Sequence, residues 1–488
     1  MKRLTFSLMA GSLLAGCAVG PDYKRPETPA AAAGPFVDPG TTKVTAGAVD
    51  GEWWRLFRDP ALDRLVVEAL TYNTDIRQAS ANLKRARAQL SEARGQRLPT
   101  TEATGQYSRQ RVGTAGQAAT LPGGISLPDA FEFDSFRVGF DASYEVDIFG
   151  RVTRAIEASR GDVDAAQAAL DASRVAIAAE VARTYAQACG FAAQAEVARE
   201  TVRLQTRTLE LTQRLVDAGR GTIRDVDQAR VLTENARSQV PQFEAERRAA
   251  LYALATLTGR PPAEVDAAAN QCKAPPGVSA LIPVRDGQAL LARRPDVRQA
   301  ERRLAADTAR VGVATAALYP SIRLLGGLSL SGQRIEDLGK SSGFGFSLGP
   351  LISWNIPNLT AARAQVRAAE AGAEGSLAAF DGTVLTALRE VEQALARYSG
   401  EIERNVALRR ADASATNAAR IAILRFEAGR DSLLQRIDAE RERAGARAAL
   451  AQSNAALAEA QVSLFKALGG GWETAPPPLR REGPVSGS

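Results

Sequence analysis

The sequence predicts a mainly α-helical fold with transmembrane β-strands, built from a duplicated helix–strand–strand–helix–helix unit. Short motifs recur at an offset of about two hundred residues, which is the length of a structural half and too long for a solenoid repeat. Two stretches in each copy alternate apolar and polar residues, as half-buried strands do. Apolar residues recur every seven positions along the segments that follow, as they do in coiled coils.

The repeat consists of short matching segments that keep their order along both copies. These segments are 73–79 and 294–300, 98–100 and 319–321, 218–220 and 428–430, and 257–259 and 468–470. We therefore expect a first copy over 52–262, a linker over 263–287 and a second copy over 288–470. Residues 471–488 are expected to form a disordered tail.

The N-terminus predicts a lipoprotein signal peptide over 1–16. A basic start precedes an apolar stretch that is too short to cross a bilayer. The stretch ends in Leu-Ala-Gly-Cys at Cys17, which resembles the bacterial lipobox, whose cysteine is acylated. The alternative is an ordinary signal peptide with an incidental cysteine. An Asp directly after the cysteine would favour the inner membrane, so Ala18 at this position predicts outer-membrane delivery. Residues 17–51 are predicted to form a lipidated, extended tether.

The composition excludes several classes of function. Arg alternates with Glu and Asp along the helices, so the net charge of +6 indicates solvated helix surface and no nucleic-acid partner. The segment 345–349 fits G-x-S-x-G, but that motif needs a strand-to-helix turn and a base, and the chain has no histidine. We therefore expect no enzyme activity, catalytic residue, metal site or cofactor other than the covalent lipid.

Two cysteines remain beyond Cys17. Cys189 and Cys272 could pair in an oxidising compartment and close a loop of about 80 residues. The alternative is two unpaired thiols, one on a helix face and one in the linker. The sequence leaves both alternatives open.

The first copy begins with a predicted helix of about forty residues, for which Asp59 is the N-cap and Pro60 the first helical residue. Strands follow over about 101–110 and 136–148. The second of these alternates an apolar face from Phe136 to Ile148 with a polar one, at a length typical of a tilted transmembrane strand. The residues between the two strands are rich in Gly and Pro and read as a loop.

The second copy repeats the strand pair over about 321–332 and 343–356. Trp354 lies near a strand end, as aromatic residues at a membrane interface do. Pro350 predicts a bulge or bend, because proline cannot donate to a β-ladder. No later stretch approaches the roughly 20 apolar residues of a spanning helix, so a membrane crossing would be made by a β-barrel.

Long helices follow each strand pair. The segment 151–217 carries two successive heptad series, and a comparable series marks the second copy. The positions are Ile156, Val163, Leu170, Ile177, Val181, Ala188, Ala195, Val202, Leu209 and Val216, then Val384, Leu388, Val391, Leu395, Tyr398 and Ile402. Turns at 219–222 and 429–432 lead to helices over 222–258 and 431–468. The alternative is a soluble coiled-coil rod with two hairpins.

Four strands per chain cannot close a barrel, since closed membrane barrels begin at about eight strands. The chain is therefore expected to oligomerise. Three copies would supply a twelve-stranded barrel, continuous with a long periplasmic barrel of coiled-coil helices.

The chain resembles the TolC/OprM-type outer membrane factors, in particular the lipoprotein branch called the NodT family. The resemblance covers roughly 17–470. It rests on the segments Cys17-Ala18-Val19-Gly20-Pro21-Asp22-Tyr23-Lys24-Arg25-Pro26, Trp53-Trp54 with Phe57 and Asp59-Pro60, Tyr144-Glu145-Val146-Asp147-Ile148-Phe149-Gly150 and Arg293-Arg294-Pro295-Asp296-Val297-Arg298.

The resemblance implies a lipid-anchored homotrimer in the outer membrane with a large periplasmic extension. Such a duct passively exports small molecules for a tripartite pump, with a periplasmic adaptor and an inner-membrane transporter of the resistance-nodulation-division type as partners. The alternatives are the channel of a type I protein secretion system and a periplasmic adaptor lipoprotein.

The resemblance also implies a gate beyond the helix turns. Asp225 and Asp438 fall on acidic gate positions, Phe426 lies where relatives carry Tyr, and Arg430 lies one place from a gate Arg whose position Asp431 occupies. Carboxylates near a threefold axis would repel one another unless paired. The alternative is that Asp225 and Asp438 are solvated carboxylates stabilised by a helix N-terminus.

Overall fold

The computed structural model describes residues 18–27, 30–36, 44–47, 51–113, 130–354, 356 and 359–481. Cys17 and the predicted signal peptide over 1–16 lie outside these ranges. The chain divides into two compact units. The first unit takes in 1–25, 85–164 and 302–378, and the second takes in 26–84, 165–301 and 379–488.

Helices dominate the described residues, which confirms the mainly α-helical class. The helices are α1 (Ala30–Ala33), α2 (Pro60–Tyr72), α3 (Thr74–Gly95), α4 (Arg151–Asp217), α5 (Ile223–Leu257), α6 (Ala267–Asn270), α7 (Gly287–Arg293), α8 (Pro295–Ala316), α9 (Leu359–Glu427) and α10 (Leu433–Ala467). The strands are β1 (Val44–Ala46), β2 (Thr100–Gly113), β3 (Ala130–Val146), β4 (Ile282–Val284), β5 (Ser321–Gly332) and β6 (Phe344–Ser353). Within the described ranges, every helix lacks the length or the apolar character that a membrane span requires.

The first unit contains a four-stranded antiparallel sheet in the order β2-β3-β5-β6. The pairing of β2 with β3 runs unbroken to Gly113 opposite Ala130. Strand β3 therefore begins six residues before the predicted strand at 136, because Phe131 and Phe133 continue a regular ladder with β2. Strand β5 coincides with the predicted range 321–332.

Pro350 does not produce the bulge that the sequence predicted. The register between β5 and β6 is regular, with Leu324 opposite Pro350 and Leu325 opposite Gly349. Strand β6 is an edge strand within this chain, and an edge position tolerates a residue without a backbone N–H. The prediction of a bulge at Pro350 is therefore wrong.

The sheet-side ends of the helices pack through an apolar cluster in the first unit. Leu90 and Ala93 of α3 contact Val152 and Ile156 of α4, and the half-buried Val163 extends the cluster. At Gly161, an added Cβ would lie 2.9 Å from the Cβ of Ala306. Glycine at this position therefore permits close contact between α4 and α8.

The predicted helix of about forty residues is two helices, α2 and α3, which Asn73 separates. Asn73 has ψ 138, so the helix is interrupted there. Its side-chain oxygen accepts from the backbone N–H of Asp75 at 2.8 Å and of Ile76 at 3.3 Å. Its amide nitrogen donates to the carbonyl of Leu257 at 3.0 Å. The single-helix prediction is wrong because this tertiary hydrogen bond and the N-cap both favour an extended Asn73.

Arg294 interrupts the second copy at the same place, between α7 and α8. It is extended at ψ 123 and precedes Pro295, which disfavours a helical conformation in the residue before it. The buried guanidinium donates to the carbonyl of Ala467 at 2.9 Å. It also pairs with Asp296 at 2.6 Å and Glu390 at 2.7 Å. The start of α8, the end of α10 and the flank of α9 are thereby joined in the second unit.

Residues 471–481 are ordered against the second unit. The guanidinium of Arg298 lies 5.2 Å from the ring centre of Trp472. The backbone N–H of Leu479 donates to the carbonyl of Thr71 at 2.7 Å. The prediction of a disordered tail from residue 471 is therefore wrong for these residues, because an aromatic ring and main-chain hydrogen bonds hold them. Residues 482–488 lie outside the described ranges.

Part of the predicted tether over 17–51 is also ordered. Val44–Ala46 pairs in parallel with Ile282–Val284 in the second unit. The β-branched Val44 and Thr45 suit a strand, and the neighbouring linker offers a strand edge. The tether prediction is therefore wrong for this segment.

Candidate functional site

The sheet of the first unit presents one apolar face. Because the register alternates regularly, Phe140 of β3, Leu328 of β5 and Phe346 of β6 lie side by side on it. The face consists of Phe136, Val138, Phe140, Ala142, Tyr144 and Val146, then Ile322, Leu324, Leu328 and Leu330, then Phe344, Phe346, Leu348, Pro350 and Ile352. Phe346 is 75% exposed and Leu348 84%. Such an apolar face, open along several strands, is typical of a surface that contacts lipid or another chain.

The second unit carries two helix–turn–helix ends, one in each copy. Gly219 and Gly429 have φ angles of 71° and 69°, a left-handed conformation that glycine adopts without strain. In the first turn, the N–H of Arg220 donates to the carbonyl of Leu215 at 2.7 Å. In the second, the N–H of Arg430 donates to the carbonyl of Arg425 at 2.8 Å. The two turns therefore end their helices by the same backbone mechanism.

Asp225 is held within its own helix start. Thr222 and Asp225 form a capping box, in which the N–H of Thr222 donates to the Asp225 carboxylate at 2.9 Å and the Thr222 hydroxyl donates to it at 2.7 Å. The hydrogen bond from the Thr222 side chain, followed by that from its backbone, lowers the pKa of the Asp225 carboxyl below its usual value. This geometry matches the alternative in which Asp225 is a carboxylate stabilised at a helix N-terminus.

The second turn is held by an ion pair. Arg425 contacts Asp431 at 2.9 Å across the turn. Asp438 lies further along α10, is about half exposed, and pairs with Arg441 at 3.4 Å. The side chain of Arg430 is exposed. In the described part of the chain, no hydrogen bond or ion pair joins Asp225, Asp438 and Arg430 to one another.

Phe426 lies at the edge of a buried polar cluster. The guanidinium of Arg436 lies 5.3 Å from the ring centre of Phe426 and contacts Glu440 at 3.1 Å. The other oxygen of Glu440 accepts from the hydroxyl of Thr208 on α4 at 2.7 Å. Thr208 and Glu440 are both buried. This cluster therefore connects the helical hairpin of the first copy with that of the second.

Thr208, Arg436 and Glu440 were not among the site residues predicted from the sequence. A weak signal was present, because Thr208 and Thr212 are polar residues four positions apart on either side of Leu209, a member of the predicted heptad series. Both are buried in the structure. Their partner on α10 lies far away in the sequence, so spacing alone could not identify Glu440.

Cys189 and Cys272 form a disulfide in the structure, with a sequence separation of 83 and a Cα–Cα distance of 5.2 Å. Cys189 is fully buried on α4, and Cys272 follows α6 in the linker. A second attachment of the linker lies at Gln461, whose side-chain amide exchanges two hydrogen bonds with the backbone of Val278, at 2.9 and 3.0 Å. The linker is thus fixed to a helix of each copy within the second unit.

Comparison with known proteins places these features in a family. The family model described as outer membrane efflux protein matches residues 65–260 and 287–470. The chain is 33% identical over 484 residues to the probable efflux pump outer membrane protein TtgC of Pseudomonas putida, with 96% of each chain covered. It is 29% identical over 462 residues to nodulation protein T of Rhizobium leguminosarum bv. viciae, covering 94% of this chain and 92% of that protein. Among solved structures, the outer-membrane channel OprN matches with a TM-score of 0.86 and 35% identity, covering 93% of this chain and all of that chain.

Proposed function

Because the chain belongs to the outer membrane efflux protein family, we propose that it is the outer membrane exit duct of a tripartite efflux pump. The duct passes small molecules from the periplasm to the outside and performs no chemistry itself. The observation that carries this proposal is that both family matches coincide with the two copies of the repeat. Each copy supplies two strands to a single sheet with one apolar face.

Three chains close a twelve-stranded barrel in this proposal. Among the described residues of one chain, β2 and β6 are edge strands whose outer backbone groups have no partner strand. Lipid offers no hydrogen bonds to such groups, so a sheet in a bilayer must close on itself. Four strands are too few, and twelve lie within the range of known membrane barrels. Pairing of β6 with β2 of the next chain supports the threefold assembly, whose helices then form the periplasmic part of the duct.

The periplasmic gate lies at the two helix turns in this proposal. Asp438 supports it, since its carboxylate is about half exposed and pairs only loosely, at 3.4 Å, with Arg441. Phe426 and Arg430 flank the second turn. Asp225 contributes through the cap that shapes the first turn. Threefold repetition would gather like charges at the axis, where they repel one another and attract cations.

The duct works with a periplasmic adaptor and an inner-membrane transporter of the resistance-nodulation-division type, which supplies the energy. Two features of the sequence support anchoring in the outer membrane. Cys17 is expected to be acylated, and the residue after it is Ala18, where an Asp would favour the inner membrane. The relative TtgC is named for an efflux pump, which supports small-molecule cargo. The duplicated strand pairs speak against the adaptor alternative, because an adaptor has a single coiled-coil hairpin.

Crosslinking in the native cell tests this function. The chain is crosslinked at the outward-facing residues of the helix turns, for example Ile223 and Leu434, which are 73% and 57% exposed. Recovery of an adaptor and a proton-driven transporter is the expected result. Recovery of an ABC exporter would assign the chain to type I secretion, and recovery of neither partner would contradict the proposal. A matched control carries the crosslinker at Phe346 on the apolar sheet face.

A further inference from the structure

The residues that directly follow Cys17 are ordered on the first unit. The backbone N–H of Val19 donates to the carbonyl of Phe149 at 3.2 Å. Phe149 and Gly150 form the junction between β3 and α4. We call residues 18–23 the N-terminal strap. Its first residues therefore lie where the sheet ends and the long helix begins.

A buried arginine supplies the main polar contacts of this strap. Arg154 donates through Nε to the carbonyl of Val19 at 3.3 Å and through Nη2 to the carbonyl of Gly20 at 3.4 Å. Nη2 also contacts the Asp22 carboxylate at 2.7 Å, and Nη1 contacts Glu157 at 2.9 Å. The Arg154 side chain is 6% exposed. Three of its four acceptors thus come from the strap, and a buried guanidinium without acceptors would be costly.

The shape of the surface is equally specific. Gly20 has φ 92, and an added Cβ would lie 2.4 Å from the Cα of Gly312 on α8. Gly150 has φ 78, and an added Cβ would lie 2.6 Å from the Cβ of Ala18. Both close approaches require glycine, so the strap fits closely against this surface.

A ring contact completes the strap's far end. The guanidinium of Arg302 lies 5.7 Å from the ring centre of Tyr23. Polar, steric and ring contacts therefore hold the strap from Ala18 to Tyr23 on three elements of one unit.

We propose that Arg154 is a positioning residue that clasps the strap and so fixes where the lipid of Cys17 leaves the protein. This proposal rests on the proposed function and on acylation of Cys17. Cys17 is bonded directly to Ala18, which lies against Gly150 at the junction of β3 and α4. The acyl chains then emerge at the end of the strands, at the boundary of the membrane-facing sheet. An undocked strap of six residues would instead let the lipid range over about 20 Å.

Docking of the strap is tested first by hydrogen–deuterium exchange of the full-length acylated protein. Arg154→Gln removes the guanidinium that binds the strap. Gly20→Ala adds a Cβ that would collide with Gly312, and it leaves the sequence of every helix unchanged. Both variants are expected to speed exchange in the peptide 18–24 by about tenfold or more. Arg160→Gln, an exposed arginine six residues further along α4, is the matched control and is expected to leave exchange unchanged. Unchanged protection in both clasp variants would overturn the proposal.

A second measurement separates positioning of the lipid from a merely structural role. Insertion into vesicles of phosphatidylethanolamine and phosphatidylglycerol is timed for acylated protein and for an unacylated Cys17→Ser form secreted by an ordinary signal. A clasped lipid holds the strands at the bilayer at high effective concentration, so Gly20→Ala and Arg154→Gln should slow the acylated form several-fold. They should leave the Cys17→Ser form unchanged.

Each outcome has a distinct meaning. Equal slowing by the clasp variants in both forms would show a structural role and overturn the proposal. No slowing in either form would overturn it as well. Failure of the acylated wild type to insert at all would count against the proposed membrane function, which keeps the two failures apart.

Discussion

The turn that joins α4 to α5 and the turn that joins α9 to α10 follow the same backbone path, with glycine at φ 71 and 69 in equivalent places. Their side chains differ. In the second turn Arg425 and Asp431 form an ion pair, whereas Leu215 and Gly221 occupy the equivalent places in the first. The glycine required for the turn is the same in both copies, while the side-chain contacts that stiffen it are not.

The caps and helix junctions show the same divergence. The capping box contains the charged Asp225 in the first copy and the neutral Gln435 in the second. The interrupted helix uses Asn73 to reach the carbonyl of Leu257 and Arg294 to reach that of Ala467. Each pair performs one geometric task with a neutral group in one copy and a charged group in the other. The two copies should therefore respond differently to mutation and to pH.

The largest expected effect on stability concerns the linker. A disulfide attaches the linker to the first copy, whereas hydrogen bonds attach it to the second. Reduction of the Cys189–Cys272 disulfide, which closes a loop of 83 residues, should lower the free energy of unfolding by about 4 kcal/mol, since it frees the unfolded chain. Thermal unfolding with and without reductant measures this. The Cys189→Ser variant should match the reduced wild type and be insensitive to reductant. Equal melting of oxidised and reduced wild type would contradict the prediction.

The next largest expected effect is a difference in stability loss between the two helix junctions, at Asn73 and at Arg294. Arg294→Met removes a buried guanidinium and leaves the Ala467 carbonyl without its donor, so we expect a loss of about 3 kcal/mol. Asn73→Ala removes a cap and one hydrogen bond and should cost about 1 to 2 kcal/mol. Denaturant unfolding followed by circular dichroism measures both. Arg303→Met, at an exposed arginine on α8, is the control, and equal losses at 73 and 294 would break the comparison.

The expected loss of stability is smaller again for the contact between the two hairpins. Thr208→Val keeps the shape but removes the hydrogen bond to Glu440, which should cost about 1 kcal/mol. Glu440→Gln tests the same contact from α10, and a double-mutant cycle isolates the coupling energy. The equivalent positions of the other copy, Ala418 and Arg230, are exposed. Ala418→Val and Arg230→Gln, alone and together, form the control cycle. A coupling energy of zero would show that the two hairpins are not held together at this point.

The smallest expected effect is the pH response of the turns. The folded-state pKa of Asp225 lies below its ordinary value of 3.8, so its cap is intact above that pH and is lost as the pH falls through the lowered pKa. Gln435 has no charge to lose. Hydrogen exchange measured from pH 6 down to pH 2, corrected for intrinsic rates, should therefore show the Thr222–Asp225 cap loosening and the Ser432–Gln435 cap unchanged. Equal loosening of both caps would contradict this prediction.

The repeating parts of the fold could be predicted from the sequence. Heptad spacing and the turn glycines locate α4 at Arg151–Asp217, the predicted range, and strict alternation identifies the apolar face of β3 and β5. These features follow from local periodicity, which sequence reports directly. The helix turns could be predicted for the same reason. In each turn a glycine ends the first helix, and a Thr or Ser three residues later caps the start of the second.

The contacts between distant segments could not be predicted in this way. The breaks at Asn73 and Arg294 depend on carbonyls almost two hundred residues away, and the partner of Thr208 lies on another hairpin. The strap on Arg154 depends on a helix surface formed elsewhere in the chain. Asp225 shows the same limitation for the candidate site, since a family position suggested a gate and the structure shows the carboxylate bound in its own cap.

Single-channel conductance in planar bilayers tests the central claim most directly. Detergent-extracted protein that migrates as three chains should insert and produce discrete, ion-conducting steps, because four strands from each chain close one barrel. Protein that stays monomeric and water-soluble after removal of its lipid, and that conducts no ions, would contradict the account.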